Sequence, residues 1–345
     1  IEYRSIDNVG NAEPLRAMSV FVDTAPPATS FLIGTPSFIA QSSPTFVSTQ
    51  TALELIAADP MASGRASGFK DTWLRVGESG FAVQSGTFTL PGPDGIKTLE
   101  FFSRDHAGNM EPVVSTRAAL DATPPRTEFV VEGSSALVEG RLYVAGASSQ
   151  TILAQDPLIS GSASGLLETR YSVDGVEASS NTPRIAFSLA EGSHTLEFQS
   201  QDHVGNQEIL VSTQVWVDST PPETALAQSG TFYDASAPDG PRIYASAGAE
   251  YALKSLDPET RGAASGVAWT GYRTSSGAFK TYVSTFNLLE GVQLVEFQSQ
   301  DRVANLEAVK SATYYVDAAP PDAALLIGEP KVELELGGTV FVSAL

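Results

Sequence analysis

The stretch LEFQSQDHVGNQE, residues 196–208, decides how this chain is read. Apolar and polar residues alternate through Leu196, Phe198 and Ser200, then the pattern breaks at Asp202 into Asp-His-Val-Gly-Asn. Alternation with period two, ended by Asp, Gly and Asn, is the mark of a half-buried β-strand running into a tight turn. The same cadence returns as LEFFSRDHAGNME from Leu99, VEFQSQDRVANLE from Val295 and IEYRSIDNVGNAE from Ile1. Four copies in 345 residues make this a repeat protein, and the period defines the module.

A second marker gives that period. VDTAPP begins at Val22, LDATPP at Leu120, VDSTPP at Val217 and VDAAPP at Val316. Their aspartates, Asp23, Asp121, Asp218 and Asp317, fall 98, 97 and 99 residues apart. This is far longer than a solenoid repeat and matches an immunoglobulin-like sandwich. The expected modules are 24–121, 122–218 and 219–317. Residues 1–23 read as the C-terminal strands of a preceding module, and 318–345 as the N-terminal strands of a following one.

Within a module, TALELIAAD, QTILAQD and EYALKSLD also alternate, with Gly, Pro, Ser and Asn clustered between the apolar runs. No amphipathic helical stretch of useful length interrupts them. Seven strands are expected: A after the prolines, B ending at Asp59, C through KDTWLRV, C′ or D and E around GTFTL, F ending at Asp105, and G running into AALD. Leu74, Tyr171 and Tyr272 take the matching core position on strand C. The fold class is therefore all-β, tandem immunoglobulin-like seven-stranded sandwiches. The Pro-Pro pair after each junction Asp fixes φ twice and removes two donors, and no Gly separates Asp from the prolines. Such links predict modules set end to end as a rod. With each sandwich roughly 35–45 Å long, the rod would reach on the order of 120 Å or more.

GSHTLEFQSQDHVGN followed by VDSTPP resembles the bacterial immunoglobulin-like repeats of large surface and secreted proteins, which are similar in architecture to fibronectin III and cadherin modules. The resemblance covers all three modules and both partial ends. It implies an extracellular or cell-surface location and admits several roles, since such repeats occur in adhesins, in surface filaments and as spacers of secreted enzymes. The third module departs from the pattern, with DRVAN where the others have Asp-x-x-Gly-Asn. If Gly108 and Gly205 adopt positive φ, Ala304 must do so at about 1 kcal/mol or reshape the turn.

Composition narrows the function classes. Forty acidic residues against 20 basic ones give a formal net charge of −20. Nucleic-acid and anionic-membrane surfaces need clustered Lys and Arg, so neither is an expected partner. There is no cysteine and hence no disulfide scaffold, and no apolar run approaches membrane-spanning length. The chain opens inside a repeat at Ile1 with no signal peptide, and reads as a piece of a longer exported protein.

Catalysis finds little support in the residues. Of three histidines, His106 and His203 share one repeat position that Asn8 and Arg302 also fill, which suits a solvated loop residue better than a base. His194 has Lys97 and Gln293 as counterparts. No His/Cys metal cluster, nucleophile elbow or phosphate loop is present. Paired carboxylates would serve glycoside chemistry, but here they recur in every module, and three identical active sites in one chain are not expected. Trp73 and Trp269 have the parity of outward residues, while Phe21, Trp216 and Tyr315 precede the junction aspartates. Such aromatics could stack sugars, but covering the junction prolines or a neighbouring subunit is the preferred reading. Lys70, Lys97, Lys254, Lys280, Lys310 and Lys331 do not recur in register, which weighs against intramolecular amide cross-links.

The recurring acids carry the strongest signal. Leu53, Leu55, Ala57 and Asp59 share a strand face, as do Ile152, Ala154 and Asp156, and Tyr251, Leu253, Ser255 and Asp257. On strand F the same holds for Leu99, Phe101, Ser103 and Asp105, for Leu196 to Asp202 and for Val295 to Asp301. Each inward face thus ends in Asp. The B–C and F–G loops of a sandwich lie at one pole, which also receives the incoming linker. Asp23, Asp59 and Asp105 are expected to meet at one junction, Asp121, Asp156 and Asp202 at the next, and Asp218, Asp257 and Asp301 at the third. Three carboxylates without a basic partner raise each other's pKa, and Ca²⁺ with its oxygen ligands relieves that repulsion. Asn109, Asn206 and Asn305 could add carbonyl oxygens. Turn chemistry is the competing explanation, with Asp starting an Asx-turn, Gly-Asn closing the hairpin and the junction Asp capping a backbone amide. Both readings predict Asp and Asn in the turn, but only the metal explains why an Asp also ends strand B and recurs in the linker.

The expectation is a non-enzymatic segment of an extracellular stalk, surface filament or fibre, with calcium rigidifying its junctions. Its partners would be neighbouring modules or like subunits. The alternatives are an adhesin segment gripping glycan or a surface protein, and spacer repeats of a larger secreted enzyme.

Overall fold

The computed structural model describes every residue except 42–43, 62–63, 239, 276, 328–330, 334–339 and 343–345. Its chain forms two compact units, Ile1–Asp218 with Arg261–Ala263, and Ser219–Thr260 with Ala264–Leu345. Among the described residues every regular element is a strand.

In the first unit, β1 (Glu2–Tyr3) and β2 (Arg16–Ala17) pair around the turn Asp7–Asn11. A sandwich follows, built from β3 (Ala28–Ile33), β4 (Ser37–Phe38), β5 (Thr45–Val47), β6 (Leu53–Ala58), β7 (Phe69–Val76), β8 (Ala82–Gln84), β9 (Gly95–Asp105) and β10 (Val114–Leu120). One sheet has the order β4-β5-β10-β9-β7-β8, and β3 pairs with β6 in the other. Phe88 bridges Leu53 at the place of strand E. Leu53, Leu74, Leu99, Phe101 and Leu120 meet in the core. Along β9 the residues Leu99, Phe101, Ser103 and Asp105 are buried and those between them are not, so the period-two pattern is the burial pattern.

The second sandwich repeats this plan with β11 (Arg126–Glu132), β12 (Ser135–Val138), β13 (Arg141–Ala145), β14 (Ser149–Gln155), β15 (Leu166–Val173), β16 (Val176–Ser180), β17 (Arg184–Phe187), β18 (Gly192–Asp202) and β19 (Val211–Asp218). Its sheets run β12-β13-β19-β18-β15-β16 and β11-β14-β17. Tyr171 packs against a core of Val144, Ile152, Leu196, Phe198 and Val217.

The second unit holds a third sandwich of β20 (Glu223–Ser229), β21 (Phe232–Ala237), β22 (Gly240–Ser246), β23 (Glu250–Leu256), β24 (Val267–Thr274), β25 (Lys280–Thr281), β26 (Gly291–Asp301) and β27 (Lys310–Asp317). The order β21-β22-β27-β26-β24-β25 lies against the β20–β23 pair. Tyr251, Leu253, Val295 and Phe297 are core residues, with Tyr272 against them. A short pair, β28 (Lys331–Glu333) with β29 (Val340–Val342), follows.

Strands A, B, C, F and G fall where the pattern predicts. The seven-strand count omits one feature, a hairpin between A and B in every module. It is β4–β5 in the first, and its second strand runs parallel to the last strand of the module, with Phe46 beside Ala119. Tyr143 beside Trp216 and Tyr244 beside Tyr315 repeat that pairing. In the first module these strands have only two and three residues, too short to show a period, and in every module the parallel partner lies more than 70 residues away.

Candidate metal centre at the module junctions

The acids that end strands B and F, together with the linker aspartate, do converge in the first unit. Asp23, Asp59 and Asp105 each bring one carboxylate oxygen within 4.8 Å of the others, and so do Asp121, Asp156 and Asp202. The reason is local. β6 and β14 end one residue before Asp59 and Asp156, whereas β9 and β18 end on Asp105 and Asp202. The linker Asp then crosses the same pole.

Each carboxylate has a defined backbone role. In the second sandwich Asp202 Oδ1 accepts the N–H groups of Val204 and Asn206 at 2.9 Å each, and Oδ2 accepts Asn206 Nδ2 at 2.7 Å. Asp121 Oδ2 accepts Ser164 N–H at 2.6 Å, and Asp156 Oδ2 accepts Gly165 N–H at 2.7 Å. Asp105 and Asn109 repeat the turn bonds at 2.8 and 2.7 Å. Asp23 Oδ2 accepts Ser67 N–H, and Asp59 Oδ2 accepts Gly68 N–H. Turn chemistry thus accounts for both oxygens of Asp105 and Asp202.

Backbone N–H groups of Ala25 and Ser67 likewise occupy both oxygens of Asp23, but one oxygen each of Asp59, Asp121 and Asp156 is left over. Oδ1 of Asp121 and Oδ1 of Asp156 are buried without a hydrogen-bond partner among the described residues, as is Oδ1 of Asp59. Asp121 and Asp202 are 0% exposed. A buried carboxylate oxygen with nothing to accept loses its hydration with no return. The donor set at this pole is all hard oxygen, the kind that suits Ca²⁺. Ser162 Oγ and Ser164 Oγ are also buried without partners among the described residues.

Electrostatics separates the two centres. Burial pushes the Asp156 carboxyl up to about 7, with Asp121, Asp202 and Asp94 adding repulsion against the Gly165 hydrogen bond. Burial likewise raises Asp202 to about 6, although the Asn206 bonds pull it down. The first centre behaves oppositely. Ser67 holds Asp23 below the ordinary range, and at Asp105 the Asn109 hydrogen bonds outweigh desolvation. Desolvation prevails at the second of these two centres, with repulsion from the neighbouring acids adding to it. More complete burial there is the physical reason.

The asparagines are donors in this structure. Asn206 Nδ2 reaches both Asp202 Oδ2 and the Asp121 carbonyl, the latter at 3.0 Å, and Asn109 does the same to Asp105 and Asp23. They position acids and link the turn to the linker. In the second unit, Asp257 accepts Gly266 N–H at 2.6 Å, and Asp301 accepts Val303 and Asn305 N–H. Asn305 Nδ2 again donates to Asp301 at 2.7 Å. Asp218 is the buried last residue of β19 in the first unit.

The junction between the first two sandwiches is also packed with apolar side chains. Val204, in the turn of the second, is 0% exposed and clusters with Phe46 and Ala119 of the first, with Phe38 and Ala40 against them. His203 stacks on Phe38, which corrects its reading as a solvated loop residue. The signal lay in the apolar hairpin opposite, which the sequence pattern does not reveal.

The last letter of the opening motif has its own function. Glu111 accepts N–H groups from Thr29 and Ser103 and bonds Thr29 Oγ1, while Ser103 Oγ meets Thr29 and Thr72 at 2.7 Å each. Glu208 with Thr127 and Ser200, and Glu307 with Thr224 and Ser299, repeat it. This strap ties the F–G turn to strand A. Recurrence of Glu in all four motif copies was the available signal.

The aromatics form no open platform at the tryptophans. Trp73 is half-buried, parallel to Phe102 and bonded through Nε1 to Asp71 at 2.9 Å. Trp269 is half-buried over Gly271. Trp216 contacts Tyr143 and carries Arg141 on its face, and Tyr315 does the same with Tyr244 and Arg242. Arg65 lies over Phe21.

No protein-family model matches the chain, and no curated protein does. Among solved structures, the fibronectin(III)-like modules of Clostridium thermocellum CbhA are 13% identical over 55% of this chain and 95% of that one, with TM-score 0.27. A tetra-tandem repeat from the extending region of a large adhesion protein is 17% identical over 92% and 81%, with TM-score 0.25. A structure from a 1.5-MDa bacterial ice-binding adhesin is 12% identical over 86% and 100%, with TM-score 0.27. The tandem sandwich architecture of this chain rests on its own strand pairing.

Proposed function

We propose that this chain is a non-enzymatic structural segment of an extracellular stalk, surface filament or fibre, in which Ca²⁺ at module junctions fixes one sandwich against the next. The observation that carries the reading is Asp121. A linker residue is wholly buried, gives one oxygen to the loop of the following module, and leaves the other without a partner among the described residues, beside Asp156 and Asp202. A flexible linker needs no such residue, whereas a stiff one gains from it.

Ca²⁺ would be held by Asp121, Asp156 and Asp202 at one junction and by Asp23, Asp59 and Asp105 at another. Asn109, Asn206 and Asn305 would hold the strand F acids in place. The ion supplies charge neutralisation, and the protein side chains supply geometry. Neighbouring modules of a long chain, or like subunits in a filament, are the partners of such a segment. Its acidic, cysteine-free composition suits an extracellular or cell-surface site.

Isothermal titration of the chelated chain with CaCl₂ tests the cation, and a glycan array with a cell-adhesion assay tests the passive role. Saturable calcium uptake with no glycan or cell binding is expected. Selective glycan or cell binding by the calcium-loaded chain would replace the stalk reading with the adhesin one.

A further inference from the structure

The acids named so far at the second junction belong to the linker and the following sandwich. A cation held only by them would stiffen the linker without gripping the module before it. One more carboxylate lies on that other side. Asp94, in the loop Pro91-Gly92-Pro93-Asp94-Gly95 ahead of β9, is 5% exposed. Its Oδ1 accepts the N–H of Ala122 at 2.8 Å, the residue next to Asp121. Its Oδ2 is buried with no hydrogen-bond partner among the described residues.

The loop is seated against the second sandwich. Gly95 has φ +133°, and a Cβ there would lie 3.3 Å from Ser160 Cβ and 3.6 Å from the Ser160 carbonyl oxygen. Ser160 belongs to the loop that runs from Asp156 to Gly165, the loop whose N–H groups hold Asp121 and Asp156. Asp94 therefore enters the junction beside that loop, and its charge is among those acting on Asp156. No salt bridge reaches Asp94, Asp121, Asp156 or Asp202 among the described residues. Oδ2 of Asp94, Oδ1 of Asp121, Oδ1 of Asp156 and the hydroxyls of Ser162 and Ser164 all lack partners among the described residues. Buried charges without partners are among the most destabilising arrangements in a protein, and a shared divalent cation is the economical way to satisfy several at once.

We propose that Asp94 supplies a fourth carboxylate, from the end of the preceding sandwich, to the cation site of Asp121, Asp156 and Asp202. One divalent ion then ties two modules directly. This rests on the cation reading above. The arrangement has a sequence signature as well. An acid followed by Gly opens strand F in each module, as Asp94-Gly95, Glu191-Gly192 and Glu290-Gly291.

The test uses the whole chain, chelated and then titrated with CaCl₂, with the amide resonances of Ala122, Ser164 and Gly165 followed by NMR. In the parent chain these three amides should move together to saturation. Asp94→Asn keeps the acceptor for Ala122 but removes the charge, and should weaken the apparent affinity at these amides by tenfold or more. Ser67 and Gly68, at the first junction, should titrate unchanged. Asp94→Ser serves in the same way if the Asn variant folds poorly. If the parent titrates and neither variant shifts the midpoint, Asp94 is not a ligand, and the three-acid site stands. If the parent amides do not respond to calcium at all, the cation reading itself falls.

Discussion

The imidazole of His203, in the F–G turn of the second sandwich, lies flat on Phe38 of the first, with ring centroids 4.1 Å apart and planes 9° from parallel. Next to it Val204 fills a socket of Phe46 and Ala119. A turn that looks like a generic hairpin is thus the plug of one module in the next. Val204→Asp should uncouple the two sandwiches while each keeps its own core. His203→Ala should weaken the contact by about 0.5–1.5 kcal/mol, the range for a stacked pair. Limited proteolysis across residues 121–126 checks both. Cleavage should accelerate in the order parent, His203→Ala, Val204→Asp, and equal rates would contradict the plug.

The turn of the third sandwich is strained where its relatives are not. Ala304 has φ +71°, at the position where Gly108 and Gly205 have +95° and +86°. Ala304→Gly should therefore stabilise that sandwich, by up to about 1 kcal/mol after the greater freedom of unfolded Gly is counted. Gly205→Ala should destabilise the second by a similar amount. Opposite shifts in thermal unfolding are expected, and shifts of one sign would contradict a common turn geometry.

The buried strap gives a prediction about each module singly. Glu208 accepts two backbone N–H groups and the Thr127 hydroxyl. Glu208→Ala leaves those donors unsatisfied in a half-buried place, where each costs about 1–3 kcal/mol. Denaturant unfolding should show a loss of at least 2 kcal/mol confined to the second sandwich. A loss under 0.5 kcal/mol would mean that water replaces the carboxylate freely.

The two cation-free centres should respond to pH in opposite directions. Asp156 and Asp202, raised to about 7 and about 6, bind protons in the folded state that the unfolded chain has already released. Stability of the second junction therefore falls as pH rises from about 4 to about 7, the acids titrating as a coupled set. Asp23 and Asp105, lowered in the folded state, contribute stability that is lost as pH falls through the acid range. Hydrogen-exchange protection, corrected for intrinsic rates, should rise at Ser164 and Gly165 between pH 8 and pH 5. At Ser67 and Gly68 it should hold until the pH drops below about 4. Parallel behaviour of the two pairs would contradict the difference in burial.

Much of the fold was legible because it is written in period two and repeated. Leu99, Phe101, Ser103 and Asp105 show the same face that the structure buries, and parity alone carried the acids of strands B and F to one pole. What the sequence hid was non-local or short. The A–B hairpin has strands of two or three residues in the first sandwich, and its long-range parallel partner leaves no local trace. The plug of Val204 depends on that hairpin and was hidden with it. The distinction between the two acid centres was hidden as well, because matching motifs give no sign of how deeply each set of acids is buried. Glu111, Glu208 and Glu307 were legible in register but not in role, since an acid after a turn reads as solvated until Thr29 and its equivalents are placed beside it.

The most direct measurement is calorimetry of the whole chain with free calcium and with chelator, at pH 7.5. Binding to the folded state alone raises stability by mass action, about 2.7 kcal/mol at a hundredfold excess over the dissociation constant. Calcium should raise the unfolding temperature. The gain should be smaller in Asp121→Asn, which keeps the Ser164 hydrogen bond and removes the charge. An unfolding temperature unchanged between calcium and chelator would leave the buried oxygens of Asp121 and Asp156 without an ion and would contradict the cation-locked junction.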